Sequence, residues 1–266
     1  MSLQHVRRIY GLIVVGLLLV VAGVVANHFF SIFESSNALW KIAHDKCVPD
    51  QVAHHNPAPC ALVDLQGGEA QGYVILKDIR GIAQFLLIPT RQITGIESAD
   101  LLAPDAPNYW AAAWEGRRFM PARLKRDIAW DKVGLAINSS LARSQNQLHI
   151  HIDCVRPDVR SALAAGIGEI GTVWAPLSFD LAGHRYFGRR LAASDLAKQN
   201  PFKLLADGLP SARDNMGRQS LAVVGVALAP GENGFVLLAR RGDPAKGAGA
   251  HAEELLDRRC GVARRN

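Results

Sequence analysis

Asn138-Ser-Ser-Leu-Ala-Arg-Ser-Gln-Asn-Gln-Leu-His-Ile-His-Ile-Asp153 is the stretch on which the reading of this chain turns. From Gln147 to Ile152 polar and apolar residues alternate without a break, the period of a strand with one polar and one buried face. Gln147, His149 and His151 line up on one side, while Leu148, Ile150 and Ile152 point into a core from the other. The spacing predicts a strand over 147–155. Two imidazoles on one face can act as nucleophile and proton donor near neutral pH. A nucleophilic imidazole needs its second ring nitrogen held by an acceptor, and a backbone carbonyl of the same strand can supply one.

Outward from this strand, Gly72–Asp78 and Gln84–Pro89 read as a hairpin turned at Arg80-Gly81, and Val133–Asn138 reads as a further strand. A second hairpin joins Ser220–Leu228 to Phe235–Ala239 through Pro230-Gly-Glu-Asn-Gly. Residues 35–60 form a lead-in: a short amphipathic helix from Asn37, then a Pro-containing loop. Helical spacing marks part of 91–105 as far as Pro104, then Trp110–Arg123, Leu163–Ile170 and His251–Arg259. Antiparallel hairpins mixed with short helices argue for an α+β fold rather than a parallel doubly wound sheet. The chain holds no Gly-rich phosphate loop, dinucleotide fingerprint or Gly-x-Ser-x-Gly elbow.

Composition sets the outer limits. With 266 residues, 49% apolar and 20% charged, the chain can bury a sizeable core and is not disordered. Its 24 Gly and 13 Pro follow no period, which excludes collagen-like and repeat classes. The net charge of +6 is scattered, so it suits a phospholipid surface or a phosphate-bearing substrate. Nucleic acid is not expected as a partner, for want of a concentrated basic and aromatic surface.

Between Ile9 and Phe33 the only ionisable side chains are Tyr10 and His28, a length that suits a bilayer span. His5, Arg7 and Arg8 precede it and Glu34 follows, so the N-terminus is expected in the cytoplasm. The expectation is therefore a cytoplasmic segment 1–8, a transmembrane anchor 9–30 and an exported remainder. A cleaved signal peptide ending near Val24-Val25-Ala26 is the alternative. Cys47, Cys60, Cys154 and Cys260 fit an oxidising compartment and allow three pairings. Cys47 with Cys60 is the expected pair, leaving Cys154 with Cys260. A zinc site from Cys47, His54, His55 and Cys60 matches no familiar spacing.

The alternation at 147–152 resembles the histidine-triad motif, with Gln147 in place of the first histidine. Across the chain, Gly72-Tyr-Val-Ile-Leu-Lys-Asp, Leu86-Leu-Ile-Pro-Thr, Ile93-Thr-Gly-Ile-Glu, Arg143–Cys154 and His251-Ala-Glu-Glu-Leu-Leu-Asp are similar to the CDP-diacylglycerol pyrophosphatase family. The resemblance implies a histidine-triad-like antiparallel sheet with flanking helices behind one transmembrane helix. Its catalytic region would span 31–160. Residues 161–266 would complete the domain, or form a degenerate second half of the same type. It also implies a single-pass protein of a bacterial-type inner membrane, with the catalytic domain on the periplasmic side.

What the resemblance implies chemically is hydrolysis of CDP-diacylglycerol to CMP and phosphatidate, with no cofactor and no catalytic metal. His149 would attack the cytidine-side phosphorus and form a covalent intermediate. His151 and Ser144 would bond phosphate oxygens, and Asn138 would contact the phosphate. Gln147 would bind substrate by its side chain and orient His149 by its carbonyl. Lys77 and Arg143 would neutralise phosphate charge. The partners implied are CDP-diacylglycerol in the bilayer and the lipid surface itself.

Two other readings compete. His-x-His on a strand is also a zinc-binding geometry, which would make His149 and His151 ligands of a metal-dependent phosphohydrolase. The third ligand would have to come from Asp153, His184 or His251. A non-enzymatic exported lipid- or nucleotide-binding protein is the other reading, although a binder has no use for paired imidazoles.

Overall fold

A computed structural model describes residues 36–264. Among these residues, nine strands form a single antiparallel sheet in the order β1-β2-β3-β5-β4-β8-β9-β7-β6. The strands are β1 (Leu62–Asp64), β2 (Tyr73–Lys77), β3 (Phe85–Pro89), β4 (Val133–Ile137), β5 (Ile150–Cys154), β6 (Ala175–Pro176), β7 (Phe187–Ala192), β8 (Gln219–Ala229) and β9 (Glu232–Arg241). From Leu39 onward the chain packs as one unit.

The middle of the sheet is covered on both faces, so its strands read as apolar runs: every residue of β3, β4 and β5 is buried. One face carries Ile75, Phe85, Leu135, Ile150, Ile152, Val223 and Phe235. Against it pack the helices Tyr109–Gly116 and Pro201–Gly208, which bring Trp110, Trp114 and Phe202. Trp114 meets Trp130 and Phe235 edge-on, both at 4.7 Å between ring centroids. Each helix begins where an asparagine side chain takes an orphan N–H: Asn108 from Ala111 and Asn200 from Phe202.

The opposite face carries two separate apolar clusters. One, with Leu76, Leu86 and Ile88, lies under the N-terminal helical run and holds Cys47 and Cys60. The other, with Ala136, Ala222, Val236 and Leu238, packs under the helix Pro157–Gly166 and Leu255. Cross-strand partners share a face, and Leu86, His151, Ala136 and Ala222 are register partners in that order. His151 therefore stands in the gap between the clusters.

Both expected disulfides are present, Cys47–Cys60 and Cys154–Cys260. The second closes across 106 residues and fastens the C-terminal segment beside β5. That segment continues the strand's edge: Val155 bridges Leu256, Arg156 N–H donates to Leu255 O, and Asp257 N–H donates to Cys154 O.

Several local expectations change. The strand expected over 147–155 is ordered as a ladder only over Ile150–Cys154; ahead of it the main chain is bonded elsewhere, with Leu148 N–H donating to Ile93 O and Gln147 O accepting from His149 Nδ1. The C-terminal helix expected over His251–Arg259 is a short 3-10 turn, Ala252–Leu255, since its main chain is spent on β5. The Pro-containing loop after Cys47 starts as a helix, Val48–His54, with proline in its first turn, where no N–H is needed. Strands β1, β6 and β7 have no counterpart in the sequence reading.

The expected fold class is also corrected. The described residues form a mixed α/β domain around a large antiparallel sheet, and none of their helices is long and apolar enough to cross a membrane. The helix Pro157–Gly166 has 10 residues, against the roughly 20 that a bilayer requires. The continuous helical run from Ala38 to His54 carries Lys41, Asp45, Lys46 and Asp50. The anchor expected over 9–30, and the cytoplasmic segment 1–8 before it, lie outside the described residues. The single-pass inner-membrane placement with a periplasmic domain is corrected with the fold class.

Candidate active site

The site is built on β5 and its approach. Leu148, Ile150 and Ile152 fill the large core, which fixes the rotation of the strand and turns Gln147, His149 and His151 to the other face. The two imidazoles stand 4.9 Å apart between centroids at 72° and are each less than a tenth exposed.

His149 Nδ1 lies 2.7 Å from the carbonyl oxygen of Gln147. A carbonyl can only accept, so Nδ1 carries the proton and the lone pair is left on Nε2. Burial lowers the pKa of His149, against the raising effect of that hydrogen bond, which favours the neutral ring. Gln147 itself is fully buried. Its amide donates to Pro89 O (3.1 Å) and Arg91 O (3.0 Å) and accepts from Ile93 N–H (3.2 Å). The side chain is spent on that loop, and it is the carbonyl that meets His149.

His151 is held from two sides. Gln84 Nε2 donates to its Nδ1 at 2.7 Å, and Glu253 Oε2 lies 3.5 Å from its Nε2. With the amide placed this way, the ring proton sits on Nε2. Burial, helped by the neighbouring His149, pushes the His151 pKa down to about 3. Burial alone would raise the Glu253 carboxyl. The charge of Arg258, with hydrogen bonds from Arg258 and Asn138, and the charge of His151 whenever that ring is protonated, overcome it and leave Glu253 ionised.

The other expected site residues divide. Asn138 is brought to the pair indirectly: it holds Glu253 through both amide atoms. Arg143 forms an ion pair with Glu97 at 2.6 Å, its side chain largely buried, and its charge acts on His149. Ser144 is exposed on the loop before β5. Lys77 is not brought to the pair. It is in register with Phe85 and Ile152, on the sheet face away from His151, and its ammonium donates to the carbonyls of Asp78 (2.6 Å) and Gly81 (3.0 Å).

Gln84 and Glu253 were missed by the sequence reading. Glu253 falls in the stretch whose spacing predicts a helix over His251–Arg259. A signal for Gln84 was present, since it is a lone polar residue between Ala83 and the apolar run of β3. Nothing local marks Glu253. A cleft of ≈ 690 Å³ opens beside it, lined in part by Arg156, His251, Glu254, Arg258 and Arg259. Glu253 thus belongs both to this cleft and to the histidine pair. Among the described residues, no group of three His, Cys, Asp or Glu side chains is arranged to hold a metal, so the ligand reading of His149 and His151 finds no third ligand there.

Comparison with known proteins follows the same lines. A family model described as CDP-diacylglycerol pyrophosphatase matches residues 34–264. A Yersinia pestis protein named CDP-diacylglycerol pyrophosphatase is 42% identical over 255 residues, covering 96% of this chain and 95% of its own.

Proposed function

This chain belongs to the CDP-diacylglycerol pyrophosphatase family, and from that premise we propose that it hydrolyses CDP-diacylglycerol to CMP and phosphatidate with His149 as a covalent nucleophile. It is an enzyme, a CDP-diacylglycerol diphosphatase of phospholipid metabolism, as family and relative both have it.

The observation that carries the covalent step is the 2.7 Å bond from His149 Nδ1 to Gln147 O. It frees the Nε2 lone pair to attack the cytidine-side phosphorus. The N–P bond forms as the bridging P–O bond breaks, and phosphatidate leaves with the bridging oxygen. His151, neutral and with its proton on Nε2, donates a hydrogen bond to that oxygen or to a phosphoryl oxygen and keeps the proton. Water then attacks the same phosphorus and gives up a proton to the solvent, the N–P bond breaks, the electron pair returns to Nε2 and CMP departs. Arg143, fixed by Glu97, supplies positive charge beside the nucleophile.

Rapid quench of the enzyme with CDP-diacylglycerol, followed by intact-protein mass spectrometry, tests this. A cytidylyl-sized mass gain is expected on the wild type and not on His149→Ala, which should lose turnover. Undiminished turnover by His149→Ala, or turnover by the wild type with no adduct at any quench time, overturns the covalent reading.

A further inference from the structure

Two buried oxygens behind His151 have no hydrogen-bond partner: Gln84 Oε1 and Asp153 Oδ2. Both residues are almost wholly inaccessible to solvent, at 1% and 0% exposure. Continuing the β3–β5 register one step beyond Phe85 and Ile152 sets Gln84 directly opposite Asp153. The oxygens converge. A Cβ added at Gly81 would meet Gln84 Oε1 at 3.0 Å and Asp153 Oδ2 at 3.4 Å, so both look into the small space under the β2–β3 turn. That space exists because Gly81, at φ +70°, has no side chain to fill it.

Two acceptors facing each other in a dry pocket repel, and leaving both unsatisfied is costly. One proton removes the conflict: an O–H on Asp153 Oδ2 donates to Gln84 Oε1. This also fixes the amide, because with its oxygen accepting from Asp153 its Nε2 must face His151 Nδ1, where it is found. We propose that Asp153 is a positioning residue which, by holding a proton against Gln84, keeps the ring proton of His151 on Nε2, facing the reaction. The proposal rests on the reading of His151 as a donor to phosphate. When Asp153 loses that proton to solvent, the amide turns over. Its N–H then donates to the carboxylate, and its oxygen takes the hydrogen bond of a protonated Nδ1, so the neutral ring no longer carries its proton on the reacting nitrogen.

The surroundings agree with a retained proton. Burial raises the pKa of Asp153 to about 7, against the lowering effect of the Cys154 N–H that its other oxygen accepts. Asp257 and Glu253, on the C-terminal segment, raise it further, while Lys77 at the end of β2 lowers it. Arg258 also faces the group, and its register partner on β4 is Gly134, which brings no charge.

The test uses the full chain with ¹⁵N-labelled histidine and ¹³C-labelled aspartate, without substrate. The His151 signal is assigned by its loss in His151→Asn. In the wild type we expect the Nε2–H form in acid, giving way to Nδ1–H with the same midpoint as the Asp153 carboxyl. Asp153→Asn keeps an N–H donor for Gln84 Oε1, so it should hold the Nε2–H form across the whole range. Its kcat should also lose the roughly 30-fold fall expected between about pH 6 and pH 8.5 for a single group titrating near 7. A wild-type tautomer that does not respond to pH overturns the proposal, as does a response that persists in Asp153→Asn. Should that variant not fold, the two wild-type midpoints decide, and a separation beyond about one unit overturns it. Because the spectra need no turnover, a missing cytidylyl adduct would refute the covalent reading and leave this result standing.

Discussion

Asn138 and Glu253, separated by 115 residues in the chain, hold each other twice: the Glu253 N–H donates to Asn138 Oδ1 at 3.0 Å, and Asn138 Nδ2 donates to Glu253 Oε2 at 3.3 Å. The pair joins the end of β4 to the C-terminal segment. It aims at His151 a carboxylate that neither element could place alone.

Asn138→Ala breaks both bonds and leaves the buried carboxylate short of a donor. Unfolding in denaturant should show a loss of about 1–3 kcal/mol. Glu253→Gln keeps the shape and removes the charge facing His151. Its kcat should fall by about 10- to 100-fold with KM nearly unchanged, which steady-state kinetics can separate. A Glu253→Gln enzyme with wild-type kcat would remove the carboxylate from the mechanism.

The buried groups predict how stability varies with pH. Asp153 binds its proton more tightly folded than unfolded, so its contribution is full below about pH 4 and lost as pH rises toward 7. Asp153→Asn should therefore outlast the wild type at pH 8 by about 4 kcal/mol, with the difference vanishing in acid. His149 and His151 act in the opposite sense. Their pKa values are lowered, so stability is present above about pH 6.5 and lost as pH falls below it. Thermal melts across pH should show the wild type falling off on both sides.

The two disulfides should differ in what they protect. Cys154–Cys260 closes a loop of 106 residues, Cys47–Cys60 one of 13, and the chain-entropy view assigns them about 4–5 and 3 kcal/mol. The longer bridge also pins the segment that carries Glu253 and Arg258. Cys260→Ser should lower both the melting temperature and kcat, whereas Cys47→Ser/Cys60→Ser should lower chiefly the melting temperature. Equal effects on kcat would show that the C-terminal segment is held by its hydrogen bonds to β5 alone.

Gly95 leaves room for Arg143: a Cβ there would collide with the guanidinium and with the Glu97 carboxylate that fixes it. Gly95→Ala should displace Arg143 and raise KM for CDP-diacylglycerol by about tenfold, the scale of one charge-assisted contact. Gly68→Ala, in open space on a distant turn, strains only its own backbone and should leave KM unchanged. A wild-type KM in Gly95→Ala would detach Arg143 from substrate binding.

The alternation from Gln147 to Ile152 determined which face the histidines occupy, because side-chain direction in a strand is a property of the local chain. The carbonyl that holds His149 is only two residues away: the strand pattern called for a neighbouring carbonyl, and the family resemblance named that of Gln147. Of the three pairings that four cysteines allow, the one expected from the nearest pair is the one present, although the sequence alone could not choose it. The partners of His151 were beyond that reach. Gln84 comes 67 residues from it, set by the β3–β5 register, and Glu253 is carried in by a segment that follows β5 instead of coiling into the helix its sequence suggested. Lys77 shows the same limit in reverse. Its neighbourhood in the sequence matched the family, but one step of register turned it to the other face of the sheet. Local periodicity sets which way a side chain points, whereas register and the packing of distant segments decide what it meets there.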